Sequence, residues 1–560
     1  MKAESASGAT AKLISFGAVG IVVCFLYQRL FLGVDLTDEA FYNALPLAFA
    51  RGRRPFIDEL IFVQSASILL KPLVQAFLLL RGNIQGLVLF FRHCFFLLSL
   101  ATTSFCFLHL RKQLPAVPAL LGAAICLSFW PFSLPSLSYN TMGMSFLVLG
   151  EVLILDQLEC SRADFKLPAG LFLILLSCVC YPTFAAPALA LFVLAAPAVR
   201  KIDVPKRLGW ACAGVVSIFA LSGFYLIFVY SNPERLRVIL DFGRSYGVQG
   251  TWTPKFQMMI KQVSHDRSFL LIQAALLLSP ALLFRRYPKL AFLSAAVCSF
   301  LLFRYPLERI GMLPSHVTIM SLAFSALALS VRDRRFLLPA LVAVIAGGVS
   351  AWTSSNGLTN FAIGGMLGAI TYAILLYRSL SADKSIGARA VYAAVLGSVV
   401  LFQLRCLGQR VYGDDSTAAH LTARIDRGAY WGLRTTPSKK KFLVQLTQDI
   451  SDYASNAKSI AFFDFFAAGP LISELKLSSP IIWPLSLSQF PQDRDLLARF
   501  YDDPDARPDI LVWFDFMPIT GDWSIDLRHD HHDSLKEKLM GSYEKKFARK
   551  EYSFYTKKTI

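Results

Sequence analysis

The residues best suited to chemistry stand in the run TDEAFYNALPLAFARGRRPFIDEL, where Asp38 and Glu39 are followed by Tyr42 and preceded by Asp35. In a helix starting near Leu36, Asp35, Asp38, Glu39 and Tyr42 fall at i, i+3, i+4 and i+7, on one polar face. Phe41, Leu45, Ala48 and Phe49 then form a flanking apolar face. Such a helix is expected to lie along a membrane interface and hold carboxylates over the headgroups. A carboxylate there can act as general base on a hydroxyl while nearby cations, Lys71 among them, stabilise a departing phosphate. Apolar surroundings raise its pKa and adjacent cations lower it. Asp58 and Glu59 form a second acidic pair, with the plainer alternative of starting a second interfacial helix. For Asp38 taken alone, the alternative is a helix N-terminal charge. Acid is scarce in this part of the chain: these five residues belong to only 17 Asp and Glu before position 405.

The elements that position these groups are set by composition. The 560 residues are 55% hydrophobic and 13% aromatic, with mean hydropathy +0.50, far more apolar surface than a soluble core of this size uses. The chain reads as a polytopic α-helical membrane protein. Its first apolar run reaches Leu32 without a small-residue cleavage site, so it reads as a retained span. The net charge of +18 sits almost wholly in the membrane half, because residues 405–560 hold 22 Lys and Arg against 21 Asp and Glu. Anionic lipid and the orientation rule account for that charge, and no nucleic acid is called for. Most of the ten cysteines lie inside apolar runs, which is no disulfide framework, and no Cys or His cluster has zinc spacing.

About thirteen apolar runs can cross a bilayer, the first near 13–33 and the last near 389–404. The ambiguous run is 60–80, which contains Lys71 and Pro72. The clusters at 111–112, 162–166, 200–207, 285–289, 332–335 and 378–389 share a side with Lys2 and Lys12 only if 60–80 does not cross. That run is therefore expected to be a second interfacial or a re-entrant helix inside a large outer loop, 34–85. Another long outer loop is expected at 231–267. The topology divides the chain into a transmembrane domain, 1–404, and an extracytoplasmic C-terminal domain, 405–560. It implies a bacterial inner (plasma) membrane protein with a cytoplasmic N-terminus. Outer cations such as Arg51, Arg53, Arg54 and Lys71 break the rule and imply an anionic partner, with lipid headgroups as the plain alternative.

The tail alternates β-like runs at 459–466, 479–484, 509–516 and 551–558 with polar segments, as a small α/β domain does. Pro437 to Lys441 reads as a linker ahead of it. Further candidates for substrate binding are Tyr139 and Asn140 in LPSLSYNTMG, Asn356 and Asn360 in TSSNGLTN, and Arg304 and Arg309 in RYPLERIGMLPSH. Span capping accounts for the asparagines equally well, and an Arg304–Glu308 pair is the plain reading of the last run. Arg92 and His93 read as a buried structural pair, and His529, His531 and His532 as a solvated loop.

The run from Thr37 to Leu60, with LLKPL at 69–73, resembles the first outer loop of GT-C glycosyltransferases, near the protein O-mannosyltransferases and lipid A aminoarabinose transferases. Asp38-Glu39, Tyr42, Gly52 and Lys71-Pro72 occupy the places of that loop's acidic pair, aromatic, turn and Lys-Pro segment. The resemblance implies that Asp38 is the catalytic base, Glu39 a supporting or acceptor-binding group and Lys71 a ligand of the lipid phosphate. It implies an inverting glycosyltransferase moving a sugar from a polyprenyl-phosphate donor in the membrane lipid to a glycan, glycolipid or protein acceptor on the outer face. Two departures matter. Tyr139 and Asn140 replace an acidic residue that many relatives carry, and a single proline follows Lys71. No metal or other cofactor is therefore expected, although some relatives use a divalent cation, and aminoarabinose specificity is not carried over. The rival reading is a transporter or flippase of a lipid-linked anion. It calls for ionisable residues at mid-membrane, and only Arg92 and His93 offer them.

Overall fold

Apolar runs bounded by Lys, Arg, Pro and Gly fold as helices throughout the first 409 residues. The computed structural model describes residues 6–160, 162–199, 204–230, 236–237, 252–381, 386–409, 411–414, 417–484, 491–518, 524–526 and 534–558. The helices begin with α1 (Ala6–Arg29), α2 (Asp38–Ala50), α3 (Ser65–Arg81), α4 (Leu87–Gln113), α5 (Ala116–Ser128), α6 (Tyr139–Leu158), α7 (Lys166–Cys180) and α8 (Ala185–Val199). They continue as α9 (Lys206–Tyr230), α10 (Trp252–His265), α11 (Arg267–Leu283), α12 (Pro288–Arg304), α13 (Pro314–Ser330), α14 (Leu337–Thr353), α15 (Phe361–Ser381) and α16 (Ile386–Gln409).

Each place expected to cross holds one helix: α1, α4 to α9 and α11 to α16. Length separates them, since a crossing takes about 20 residues. Six helical segments are long and apolar enough to cross by length and composition, and α10 with α11, bent by 69° at Asp266, makes a seventh. Others, such as α5 and α13, are apolar but shorter, at 10–17 residues. The expected thirteen crossings are thus matched by helices, but only in part by crossing length. Run 60–80 forms α3, with Lys71 and Pro72 inside it.

The tail carries a five-stranded mixed sheet. Its strands are β3 (Ser459–Phe463), β4 (Lys476–Leu477), β5 (Ile510–Phe514), β8 (Tyr543–Ala548) and β9 (Tyr552–Lys557), in the order β4-β3-β5-β9-β8. Two-residue strands β1 (Ala423–Arg424) and β2 (Arg434–Thr435) pair ahead of it, and β6 (Phe516–Pro518) pairs with β7 (Ser524–Asp526). Strands β3 and β5 are parallel and read as unbroken apolar runs because both sheet faces are buried. Ile460, Phe462, Val512 and Phe514 face one core; Ala461, Phe463, Leu511 and Trp513 face another. Residues 479–484, read above as a strand, form none. Pro437, read as a linker, instead opens helix α17 (Pro437–Ala454): proline suits the first helical position, and the Thr436 side chain caps it by accepting from the Lys439 amide.

The first of those cores decides the architecture. It joins Leu26, Leu30, Phe41, Leu45, Phe91 and Trp130 from the membrane half with Phe442, Phe462, Trp483, Val512 and Phe554 from the tail, without a break. Backbone bonds cross the same seam, from the Ala467 amide to the Leu36 carbonyl (3.2 Å), Leu60 to Pro480 (2.9 Å) and Gly86 to Gly428 (3.0 Å). Consequently α2 does not lie open on the lipid boundary as expected. Every residue from Glu39 to Phe49 is buried, because α3, α4 and the tail pack around it.

Candidate active site

The chain enters α2 through a tight acid-capped turn. Asp35 precedes the helix rather than sharing its polar face, and its carboxylate accepts from the Thr37 amide (3.0 Å), the Thr37 hydroxyl (2.6 Å) and the Glu39 amide (2.6 Å). These are the free amides that a helix N-terminus presents. Glu39 points the other way. Both its oxygens are held by Arg92 of α4, at 2.7 Å and 2.6 Å, in a fully buried fork, and Arg92 also donates to the carbonyls of Leu30, Leu32 and Gly33. Glu39 therefore anchors α2 to α4, and Arg92 pairs with it rather than with His93. His93 bonds the Leu89 carbonyl (2.7 Å) and the Tyr27 hydroxyl (3.3 Å).

Asp38 stands apart from these. It is half-buried, and among the described residues no cation pairs with it. Its carboxylate accepts from the phenol of Tyr412 beyond α16, with the Tyr42 phenol one turn on close by. Burial pushes its pKa up, against the pull of the Tyr412 and Tyr42 hydroxyls beside it. Asp35 is also pushed up, by burial and then by the Asp38 charge, against its three donors.

From Tyr42 a polar and aromatic seam runs into the bundle. Tyr42 meets Tyr139 edge-to-face at 5.5 Å between ring centroids, and Tyr139 meets Tyr181 at 5.7 Å. The Asn140 amide reaches the Tyr42 hydroxyl and the Asn360 amide the Tyr181 hydroxyl, both at 3.4 Å. The side-chain oxygens of Asn43, Asn140 and Asn360 are buried without a partner, which is costly unless something donates to them. His316 fixes this seam. Its Nε2 accepts from the Phe132 amide (2.8 Å), so Nδ1 carries the proton to the Thr359 carbonyl (2.6 Å). That tie holds the loop before α6 against the turn before α15.

None of the remaining candidates among the described residues bonds Asp38. Lys71 sits half-buried on α3, which packs on α2, and it has no hydrogen bond or ion pair among the described residues. Asp58 pairs with Arg54 on the surface, at 2.9 Å. Glu59 is fully buried, pairs with Arg53 at 3.1 Å and accepts from the Ile61 and Ile482 amides, fastening the first loop to the tail. Arg51 donates to the Pro470 and Ser473 carbonyls. Arg51, Arg53 and Arg54, expected to meet an anionic partner, thus meet the chain's own carbonyls and carboxylates. They line a cleft of about 1070 Å³ between the end of α2 and the sheet edge. Asn356 is exposed, with only its backbone engaged. Arg304 and Arg309 are exposed too, and no Arg304–Glu308 pair forms, because α12 ends at Arg304 and Tyr305 is extended. His529, His531 and His532 lie outside the described residues, as does most of the loop at 231–251.

Sequence reasoning missed Tyr412, Tyr181 and His316 and misjudged Arg92. Nothing near these residues marks them, since their partners are 43 to 374 positions away. Among the described residues no three His, Cys, Asp or Glu side chains gather as a metal site, and the Asp35 oxygens already accept three donors.

No family model and no curated protein matches the chain. Solved structures do. The oligosaccharyltransferase of Archaeoglobus fulgidus, crystallised with zinc and sulfate, aligns over 88% of this chain and 67% of its own, with 11% identity and a TM-score of 0.48. Its apo form gives 12% identity and 0.46, over 89% and 69%. ArnT from Cupriavidus metallidurans, in the apo state, aligns over 98% of both chains, with 13% identity and a TM-score of 0.42. All three scores stand below one half.

Proposed function

We propose that the chain is an integral-membrane, inverting glycosyltransferase that moves a sugar from a polyprenyl-phosphate donor to an acceptor hydroxyl on the outer face. The observation that carries this reading is Asp38: a half-buried carboxylate that no cation pairs with among the described residues and that is held by the phenol of Tyr412. A carboxylate in that state can take a proton, whereas Glu39, locked to Arg92, cannot. The acceptor oxygen attacks the anomeric carbon as its proton passes to Asp38, and the sugar–phosphate bond breaks on the opposite side. The configuration inverts without a covalent intermediate. Lys71, half-buried and unpaired on the adjoining helix, is the cation for the leaving phosphate. Tyr139, Asn140 and Asn360 suit sugar hydroxyls, since two of their amide oxygens want donors.

The reading puts the chain in a bacterial inner membrane, with the N-terminus cytoplasmic and residues 405–560 outside. It routes no step through a metal, because Asp38 and Lys71 between them cover the proton and the phosphate. The acceptor class, glycan, glycolipid or protein, is left to the test. Arg92, the intramembrane cation a lipid-anion transporter would use, is saturated by Glu39 and three carbonyls, and this disfavours transport.

The test incubates purified protein with a panel of polyprenyl-phosphate sugars and follows polyprenyl phosphate release, with and without a chelator. Wild type should release it, and Asp38→Asn should lose roughly 100-fold or more. Equal release from both proteins removes Asp38 as base; no release from any donor favours transport.

A further inference from the structure

Tyr412 comes from a short strap, residues 411–414, that follows α16, and it reaches back 374 positions to the start of α2. The strap is built to stay there. Asp414 is buried; it accepts from the Val34 amide (2.8 Å) and the Thr435 hydroxyl (2.5 Å) and pairs with Lys439 of α17 (3.4 Å). Lys439, equally buried, donates to the Val34 and Gly413 carbonyls. Gly413 has φ +68°, and a Cβ there would meet the Asp35 carboxylate at 2.5 Å. Gly33, on the facing loop at φ +87°, leaves equally little room for a Cβ, which would meet Val411 at 2.4 Å. Two glycines thus let the strap and the acidic turn close on each other, and a buried ion pair locks them. The one side chain of the strap that reaches the proposed base is Tyr412.

Resting on the reading of Asp38 as base, we propose that Tyr412 is a positioning residue for the transfer. Its phenol pins one carboxylate oxygen so that the remaining lone pairs of Asp38 meet the acceptor hydroxyl. A carboxylate on a short side chain has two rotatable bonds, and a pinned oxygen removes the orientations that point away from the acceptor. Among the described residues Tyr412 is the one side chain that donates a hydrogen bond to that carboxylate, and it reaches it only when the strap is docked. The charged and titratable groups around Asp38 are Asp35 on the turn, Tyr42 on α2, Tyr139 on α6 and Tyr412 on the strap. Behind them stand Tyr430 and two closed pairs, Glu39–Arg92 and Asp414–Lys439. A donor to the charged carboxylate favours that form, so losing the phenol raises the pH at which Asp38 becomes a base.

The test compares wild type, Tyr412→Phe and Asp38→Asn in the release assay across pH, with melting temperature and donor KM alongside. Tyr412→Phe keeps the ring and its packing. It should lower kcat roughly 10- to 100-fold, leave donor KM unchanged and move the acid limb of the rate profile to higher pH. An unchanged kcat and acid limb, with Asp38→Asn still inactive, overturns the role of Tyr412 and leaves Asp38 as base. A fall in kcat that follows the melting temperature with the acid limb unmoved also overturns it, because the phenol is then only structural. Wild type and Asp38→Asn behaving alike sinks the base reading, and Tyr412 falls with it.

Discussion

Asp38 and Glu39 are neighbours with opposite fates, and substitution should separate them. Asp38→Asn keeps shape and loses the proton acceptor, so folding should survive while release does not. Glu39→Gln leaves the Arg92 charge buried without its partner, at a cost of about 3–5 kcal/mol. Yield and melting temperature in detergent should therefore fall for Glu39→Gln and hold for Asp38→Asn. The pH dependence follows from burial. Asp35 and Asp38 are both held above the ordinary carboxylate range, so folding favours their protonated forms. The stability they contribute is present at acid pH and is lost as pH rises through the raised values. Activity runs the opposite way, because a base works deprotonated: release should climb with pH and reach half its maximum above the ordinary carboxylate pKa of about 4. A half-maximum at or below that value would contradict the burial of Asp38. The acidic pair was legible in the sequence as chemistry. The resemblance put the base on Asp38, but the lock on Glu39 was not legible, because Arg92 lies 53 positions on in a run that reads as membrane.

At the scale of elements, periodicity and charge located the helices well, because an apolar stretch between basic ends has few other outcomes. The β-like runs at 459–466, 509–516 and 551–558 became β3, β5 and β9 for the matching reason, buried on both faces. Pro437 misled because proline both breaks chains and starts helices, and only the Thr436 cap distinguishes the two. The interfacial face assigned to α2 misled more deeply. Its apolar stripe was correctly seen, but what covers it is α3, α4 and the tail, and amphipathicity does not say what a helix packs against. The strap yields a direct prediction. Gly413→Ala forces a Cβ into the Asp35 carboxylate at a positive φ, and should cost more than about 1 kcal/mol, lowering the melting temperature. The same change at Gly209, where a Cβ meets nothing, is the control and should leave the melting temperature unmoved or raised.

Across the whole molecule, apolar runs foretold a helical membrane half, and alternating β-like runs foretold a sheet-bearing tail. It did not foretell that the two share one apolar core, because contacts between residues 400 apart leave no trace in local pattern. A chain ended at residue 410 should therefore expose Phe41, Leu45 and their neighbours and elute as aggregate in size-exclusion chromatography, whereas an independent tail would leave a monodisperse membrane half. The shared core also sets an order of events during biosynthesis. The acidic turn is made early, yet Asp414, Lys439 and the strands that pack on it come from the tail and are made later. A ribosome still working on the tail would hold a protein whose bilayer portion is inserted and whose Asp38 is unsecured. Nascent copies should stay silent toward donor lipid until the final strand is in place.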